Sequence, residues 1–204
     1  RKRLIVGITG ASGAIYAART CALLSAADVE THLVVTPLGQ RLLHDELGLE
    51  RPDAQQLANG GPGPIIAHNS RDVGAPIASG SFQHDGMIVV PCSANSLAAI
   101  AGGQAQHLLH RAAHVTLKER RPLVLVHRET PLSLIEIRNM AAATEAGAIV
   151  CPANPGFYMQ PESIEDLVDH VVSRVLDLVD VDHDLDVRWG QPRPDDSPSI
   201  SPDR

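Results

Sequence analysis

An α/β fold, a parallel sheet with helices on both faces, is what this sequence predicts, and three observations carry the prediction. Short unbroken apolar runs such as Leu4–Thr9 and Leu123–Val126 have the length and continuity of strands buried on both faces. Ala- and Leu-rich segments of helical length separate such runs, and strands alternating with helices imply a parallel sheet. Aromatic residues make up only 2% of the chain although 44% of it is apolar. The core is therefore one of Ala, Val, Ile and Leu, which suits small strands packed closely by helices.

Taken in order, Leu4 to Thr9 is the first strand and ends at a glycine turn. Ala14 to Ala27 reads as a helix, Glu30 to Thr36 as a second strand, and Gln40 to Leu47 as helical. Asn59 to Pro64 is a Gly/Pro/Asn-rich loop, and Ile65 to His68 a third strand. Gly86 to Val90 is a strong strand ending at Pro91, and Ser93 is placed to cap a helix running to Ala101. A longer helix spans Leu108 to Arg120. Pro122 to His127 is a strand, Leu132 to Glu145 a helix, and Ala148 to Cys151 a short strand. Pro161 to Val179 closes the fold, with the acids of Glu162 to Asp166 where a helix dipole favours them. Residues 1–180 thus read as a single domain. Residues 181–204 form an acidic, Pro/Ser-rich extension, whose order near Trp189 would come from packing on a neighbour. No internal repeat of 20–50 residues is present.

Several function classes lose ground on composition. A formal net charge of −7 over 204 residues gives no global reason to expect nucleic acid. Three widely spaced cysteines, Cys21, Cys92 and Cys151, make neither a disulfide framework nor a CxxC pair, which points to a reducing, cytoplasmic setting. The apolar run after Arg1-Lys2-Arg3 is too short for a signal peptide, and no stretch approaches the roughly 20 residues that span a bilayer.

The glycine turn Gly10-Ala11-Ser12-Gly13 lets backbone N–H groups approach a phosphate at a helix N-terminus. It matches neither the dinucleotide fingerprint nor the Walker motif; it can equally be a bare connection, with Ser12 as a helix cap. Ala78-Ser79-Gly80-Ser81 and Pro91-Cys92-Ser93-Ala94-Asn95-Ser96 are further small, hydroxyl-rich turns, the latter at a strand's carboxyl end, where open α/β sheets bind ligands. Arg128-Glu129 follows the strand Leu123–Val126 and offers a cation for phosphate and a carboxyl for proton transfer; the plain alternative is a surface ion pair. Lys118-Glu119-Arg120-Arg121 reads on its own as a solvated helix end. His107, His110 and His114 lie at helical spacing without a metal-site pattern and read as polar histidines on a helix surface. Cys92 has no base positioned near it in sequence and reads as structural.

Taken together, these segments resemble the UbiX-type flavin prenyltransferases. The residues that carry the resemblance are Gly10 to Tyr16, Ala78 to Ser81, Pro91 to Ser93, Arg111-Ala-Ala, Leu117 to Val126, Arg128 to Pro131 and Pro155-Gly-Phe-Tyr158, in order from about Lys2 to Trp189. The resemblance implies a three-layer Rossmann-like flavoprotein fold with a mostly parallel sheet, assembled as a homododecamer with FMN at subunit contacts. It implies a reaction that joins a dimethylallyl group from dimethylallyl phosphate to N5 and C6 of reduced FMN. No metal is needed, and the prenylated FMN serves UbiD-type decarboxylases.

By the same resemblance, Gly10, Ala11, Ser12, Thr36, Ser93, Ala94, Asn95, Ser96 and Arg128 hold FMN, with Ser12 near N5. Tyr158, Arg174 and Lys118 bind dimethylallyl phosphate, aided by Arg111 at the subunit contact. Glu129 moves the proton, and Glu46 is a supporting carboxylate near the substrate. The sequence departs from the family at Val73, where some members have Trp, at Thr36, more often Ser, and at Pro37, more usually Lys. Two other readings stand beside this one. An FMN-dependent decarboxylase of cysteine-derived substrates would use a turn like Pro91 to Ser96 and a catalytic His, for which His68 is the rough candidate. A non-catalytic FMN-binding protein would use the same turns and leave Glu129 idle.

Overall fold

The computed structural model describes residues 1–49 and 53–185; Trp189 and the rest of the extension lie outside the described residues. Strands β1 (Arg3–Ile8), β2 (Glu30–Val35), β3 (Ile65–His68), β4 (Gly86–Cys92), β5 (Leu123–His127) and β6 (Ile149–Val150) form one sheet. Their order is β3-β2-β1-β4-β5-β6, and every neighbouring pair is parallel. The chain winds outward from β1 to β3, then returns to lay β4 on the other side of β1. The order reverses between β1 and β4, where open α/β sheets take ligands at the strands' carboxyl ends.

Both faces of the central strands are apolar, and the pleat divides them. Leu4, Val6 and Ile8 of β1, Ile88 and Val90 of β4, and Val124 and Val126 of β5 pack into one buried cluster. Covering that side are α1 (Ala14–Ala26), α2 (Pro37–Leu47), α3 (Ala54–Ala58) and α7 (Ile164–Asp177). The alternate residues Ile5, Met87, Val89, Leu123 and Leu125 face the opposite cluster, beneath α4 (Ala94–Ala101), α5 (Leu108–Lys118), α6 (Leu134–Glu145) and a 3-10 turn at Pro76–Ala78. Period-two alternation with two apolar sets is the pattern of a fully covered sheet. The fold is thus a three-layer α/β arrangement with an all-parallel sheet.

Most element ends shift by a residue or a few from the sequence expectation, and three differences have a clear local reason. α2 starts at Pro37 rather than Gln40, because the Thr36 side chain accepts the Gly39 N–H and Pro37 is preset for a first helical turn. β4 runs through Pro91 to Cys92, and the ladder shifts register between Val89 and Cys92, so the missing N–H costs no regular ladder bond. α3 was not expected at all; a single turn capped by Asp53, it is too short to show a period. In the carboxyl-terminal stretch, Val181 packs into the core and His183 reaches Asp177 at 3.3 Å.

Candidate functional site

The carboxyl ends of the strands are stitched into a single edge. Thr9, buried just after β1, donates its hydroxyl to the Pro91 carbonyl at 2.7 Å and accepts the Ser93 N–H at 2.8 Å, tying the glycine turn to the Pro91–Ser96 turn. Thr36 N–H reaches Ile8 O at 3.0 Å, Arg128 N–H reaches Cys92 O at 3.4 Å, and Ala153 N–H reaches His127 O at 2.9 Å. Gly10, Ala11, Ser12, Thr36, Ser93, Ala94, Asn95, Ser96, Arg128 and Glu129 therefore share this edge.

Small residues are required here because the backbones nearly touch. A Cβ on Gly10 would stand 2.5 Å from Leu38 Cβ, and one on Gly39 would stand 2.5 Å from Ile8 O. Ser12 does not cap α1: the cap position is Gly13, and Ser12 is exposed. Glu46 supplies what a cap would, for its Oε2 accepts the Gly13 N–H at 3.0 Å and the Ala14 N–H at 2.7 Å. The anion at the start of α1 is thus the chain's own carboxylate, held there by the helix dipole. The Thr36 hydroxyl is engaged in its cap and with Ile8 O. Ser93 caps α4, accepting the Ser96 N–H at 3.2 Å. Helix geometry leaves the preceding N–H groups, of Ala94 and Asn95, for a ligand.

Arg128 and Glu129 do not form the surface ion pair considered from the sequence. Glu129 accepts the Thr130 N–H at 3.0 Å, while Arg128 Nε is buried without a hydrogen-bond partner among the described residues. A buried unpaired guanidinium N–H is costly unless an acceptor reaches it. Beside turns of small residues and a helix N-terminus, this donor set fits the phosphate-bearing end of FMN.

A second cluster lies past β6, beyond the Ala153 link. The Tyr158 hydroxyl is 3.1 Å from His170 Nε2. Arg174, one turn along α7, bonds Asp177 at 3.1 Å and lowers the pKa of His170, adding to the effect of burial. A phenol and a guanidinium on adjoining elements can hold an anion.

Lys118 stands apart. α5 descends to the amino-terminal edge of the sheet, where Lys118 bonds Glu119 and both line Gly80. Arg111 donates to Ala78 O at 3.1 Å, and Arg121 donates to Phe82 O at 2.7 Å. The Ala78–Ser81 turn and Lys118 are therefore held together, at the end of β5 opposite to Arg128. Within one chain, Lys118 does not join Tyr158 and Arg174 beside Arg128.

The histidine reading is corrected. His110 is fully buried rather than on the helix surface, stacks on His107 with centroids 3.9 Å apart, and lies 3.2 Å from Ser96 Oγ. Burial, with His107 and His114 nearby, pushes its pKa down to about 4. Among the described residues, no group of three or more His, Cys, Asp or Glu is placed to hold a metal ion. Burial pushes the Cys92 thiol up to about 12, so it stays protonated and inert.

A sequence model of the flavoprotein family matches residues 1–176. Relatives named flavin prenyltransferase UbiX are 46% identical in Escherichia coli K12, over 92% of this chain and 98% of theirs, and 43% identical in Halalkalibacterium halodurans, over 92% and 93%. The chain belongs to the flavoprotein family, among the UbiX flavin prenyltransferases. The fold repeats this kinship. A crystal structure of a UbiX protein in complex with FMN and dimethylallyl pyrophosphate superposes with a TM-score of 0.88 at 45% identity, over 95% of this chain and 100% of that one. A dodecameric FMN-dependent UbiX-like decarboxylase of E. coli O157:H7 gives 0.84 at 43% identity, over 93% and 100%. Cysteine decarboxylases of the wider flavoprotein group share the fold alone, for example at a TM-score of 0.59 and 17% identity.

The sequence alone did not single out Thr9, His170 or the burial of His110. Thr9 had a visible signal, as a hydroxyl ending an apolar strand. His170 had only its place four residues before Arg174.

Proposed function

We propose that this chain is a flavin prenyltransferase, joining a dimethylallyl group from dimethylallyl phosphate to N5 and C6 of reduced FMN. The observation that carries the reading is the buried Arg128 Nε, which has no hydrogen-bond partner among the described residues; Tyr158 and Arg174 are read as a second anion-binding pair. Arg128, with a buried unpaired Nε, sits by the turns, and Tyr158 with Arg174 sits past β6. A reaction between two phosphate-bearing substrates uses both. His68, the histidine a decarboxylase of cysteine-derived substrates would use, is instead bonded to His32 at 2.8 Å.

Reduced FMN supplies the nucleophilic N5 and the ring carbon C6. The chain's own groups do the rest. As the allylic C–O bond breaks, its electron pair leaves on phosphate, and Arg174, the Tyr158 hydroxyl and Lys118 meet that charge. Lys118 would come from a second copy of the chain, as would Arg111, in a homo-oligomer of the dodecameric kind. Glu129, steadied by the Thr130 N–H, would give a proton to the prenyl alkene and take one back from the ring once C6 has bonded. Ser12, free of any capping role, contacts the flavin near N5. Glu46 fixes the start of α1 beside it. Exclusion of water protects the allylic cation, a task to which Val73, exposed in the single chain, brings no aromatic face. Residues 1–180 are the expected catalytic domain, and Val181 and His183, from the expected extension, pack against it. The product serves a UbiD-type decarboxylase, and the free cysteines support a cytoplasmic setting.

Anaerobic incubation with reduced FMN and dimethylallyl phosphate, followed by mass spectrometry of the released flavin, tests the reading. The expected result is a flavin heavier by one isoprene unit; unchanged flavin from protein that binds FMN would overturn it. Glu129→Gln is expected to lower turnover by about 10²-fold or more without weakening FMN binding, and full turnover would remove Glu129 from proton transfer.

A further inference from the structure

We infer that His170 is a positioning residue for dimethylallyl phosphate: it gives its Nε2–H to the Tyr158 phenol oxygen and so aims the phenolic O–H at the substrate's phosphate. The inference rests on the prenyltransferase reading and adds to it a residue that does not touch substrate.

The proton's place on the ring follows from the backbone. Gly156 N–H donates to His170 Nδ1 at 3.0 Å, and only an unprotonated ring nitrogen accepts. In a neutral imidazole, the hydrogen then sits on Nε2. That nitrogen is 3.1 Å from Tyr158 Oη, so the ring donates and the phenol oxygen accepts. With one lone pair facing His170, the phenol's own hydrogen points away from the imidazole, as a donor to an oxygen on the far side. Burial and the nearby Arg174 charge both disfavour the imidazolium, which would break the Gly156 bond.

Packing holds the arrangement. The Tyr158 and His170 rings meet edge to face at 82°, with centroids 5.5 Å apart. A Cβ on Gly156 would stand 2.8 Å from the Tyr158 ring and 3.2 Å from His170 Cε1, so only glycine lets the loop close over the imidazole. His170 also lies one helical turn before Arg174, which puts both residues of the anion site under the control of one face of α7. The Tyr158 side chain is about half exposed, and the His170 bond sets the direction of its phenolic hydrogen before substrate arrives.

Two measurements on the FMN-bound assembly test this. In prenylation assays, His170→Phe keeps a ring but loses both nitrogens, and is expected to raise KM for dimethylallyl phosphate about tenfold with FMN affinity unchanged. His170→Gln, whose amide can still donate to Oη, is expected to recover most of that loss, while His170→Asn, too short to reach it, is not. In a Tyr158→Phe background, His170→Phe should add less than about twofold, because the hydroxyl it orients is gone. An unchanged KM in His170→Phe, or an equal loss in both backgrounds, would overturn the inference. Should His170→Phe fail to bind FMN, the Gln and Asn variants decide it, and equal KM values would overturn it. Calorimetric binding of dimethylallyl phosphate to the oxidised-FMN form needs no turnover. Weaker binding by His170→Phe supports the inference even if the wild-type protein prenylates nothing, an outcome that would sink only the prenyltransferase reading; equal binding overturns the role of His170.

Discussion

Arg128 and Glu129 stand next to each other with opposite charges, and among the described residues they form no ion pair. A surface pair would have contributed little; leaving a buried guanidinium N–H unmatched costs more. That cost is sensible only where a ligand repays it, so Arg128→Ala should separate binding from stability. FMN affinity is expected to fall about tenfold or more, while the melting temperature of the FMN-free protein holds or rises, since an unsatisfied buried donor has been removed. A drop of several degrees in the FMN-free protein would mean that Arg128 has a structural partner. His110 gives the opposite case, a buried polar group whose cost appears with pH. Its folded-state pKa, about 4, lies below the ordinary histidine value, so the unfolded chain binds the proton first. Stability is thus complete above about pH 6.5 and is lost as pH falls toward 4, by on the order of 3 kcal/mol for a shift of this size. Chemical denaturation between pH 7 and 4.5 checks it: His110→Leu should flatten the slope, and an unaltered slope would place the proton elsewhere.

Thr9 shows how elements, rather than residues, make the crevice. Its hydroxyl donates to one turn and accepts from it, joining the ends of β1 and β4 at the point where strand order reverses. Thr9→Val keeps the shape and the Thr9 N–H bond to the Pro91 carbonyl at 3.3 Å, but leaves the part-buried Ser93 N–H without its acceptor, an expected loss of about 1 kcal/mol. FMN affinity should drop with it, because Ser93 and the start of α4 lose their tether, and Thr9→Ser should restore both in a melting and flavin-titration series. The strands and turns around Thr9 were legible in the sequence because continuous apolar runs and small-residue turns are local signals. α3, with one turn and no period, was not. His110 was misread because the buried arc of α5 is wide. Leu108, Leu109, Ala112, Ala113, Val115 and Thr116 are all buried, and His110 lies only about 20° from Leu117 on the helical wheel. Which ring nitrogen of His170 carries a proton depends on Gly156 N–H, fourteen residues away, and no sequence pattern reports it.

For the whole molecule the decisive fact is that Lys118 and Arg128 sit at opposite ends of β5, a strand of five residues and so about 16 Å long. A catalytic role for Lys118 alongside Arg128 and Tyr158 therefore requires a second chain to present its amino-terminal edge. The surface for such a contact exists: Leu134, Ile135 and Ile137 of α6 are exposed, Ile135 by 71%, as is Leu132 just before the helix. Apolar patches of this kind mark protein contacts, and in a closed symmetric assembly every chain both gives and receives the same residues. Subunit mixing follows. Lys118→Ala and Glu129→Gln chains should each be nearly inactive alone. Unfolded together, mixed in equal amounts and refolded, they should regain about one quarter of wild-type prenylation, because that is the share of contacts pairing an intact Lys118 with an intact Glu129 across two chains. If instead both residues served a site within one chain, every site in the mixture would carry a defect, and the mixture would be no more active than its parts.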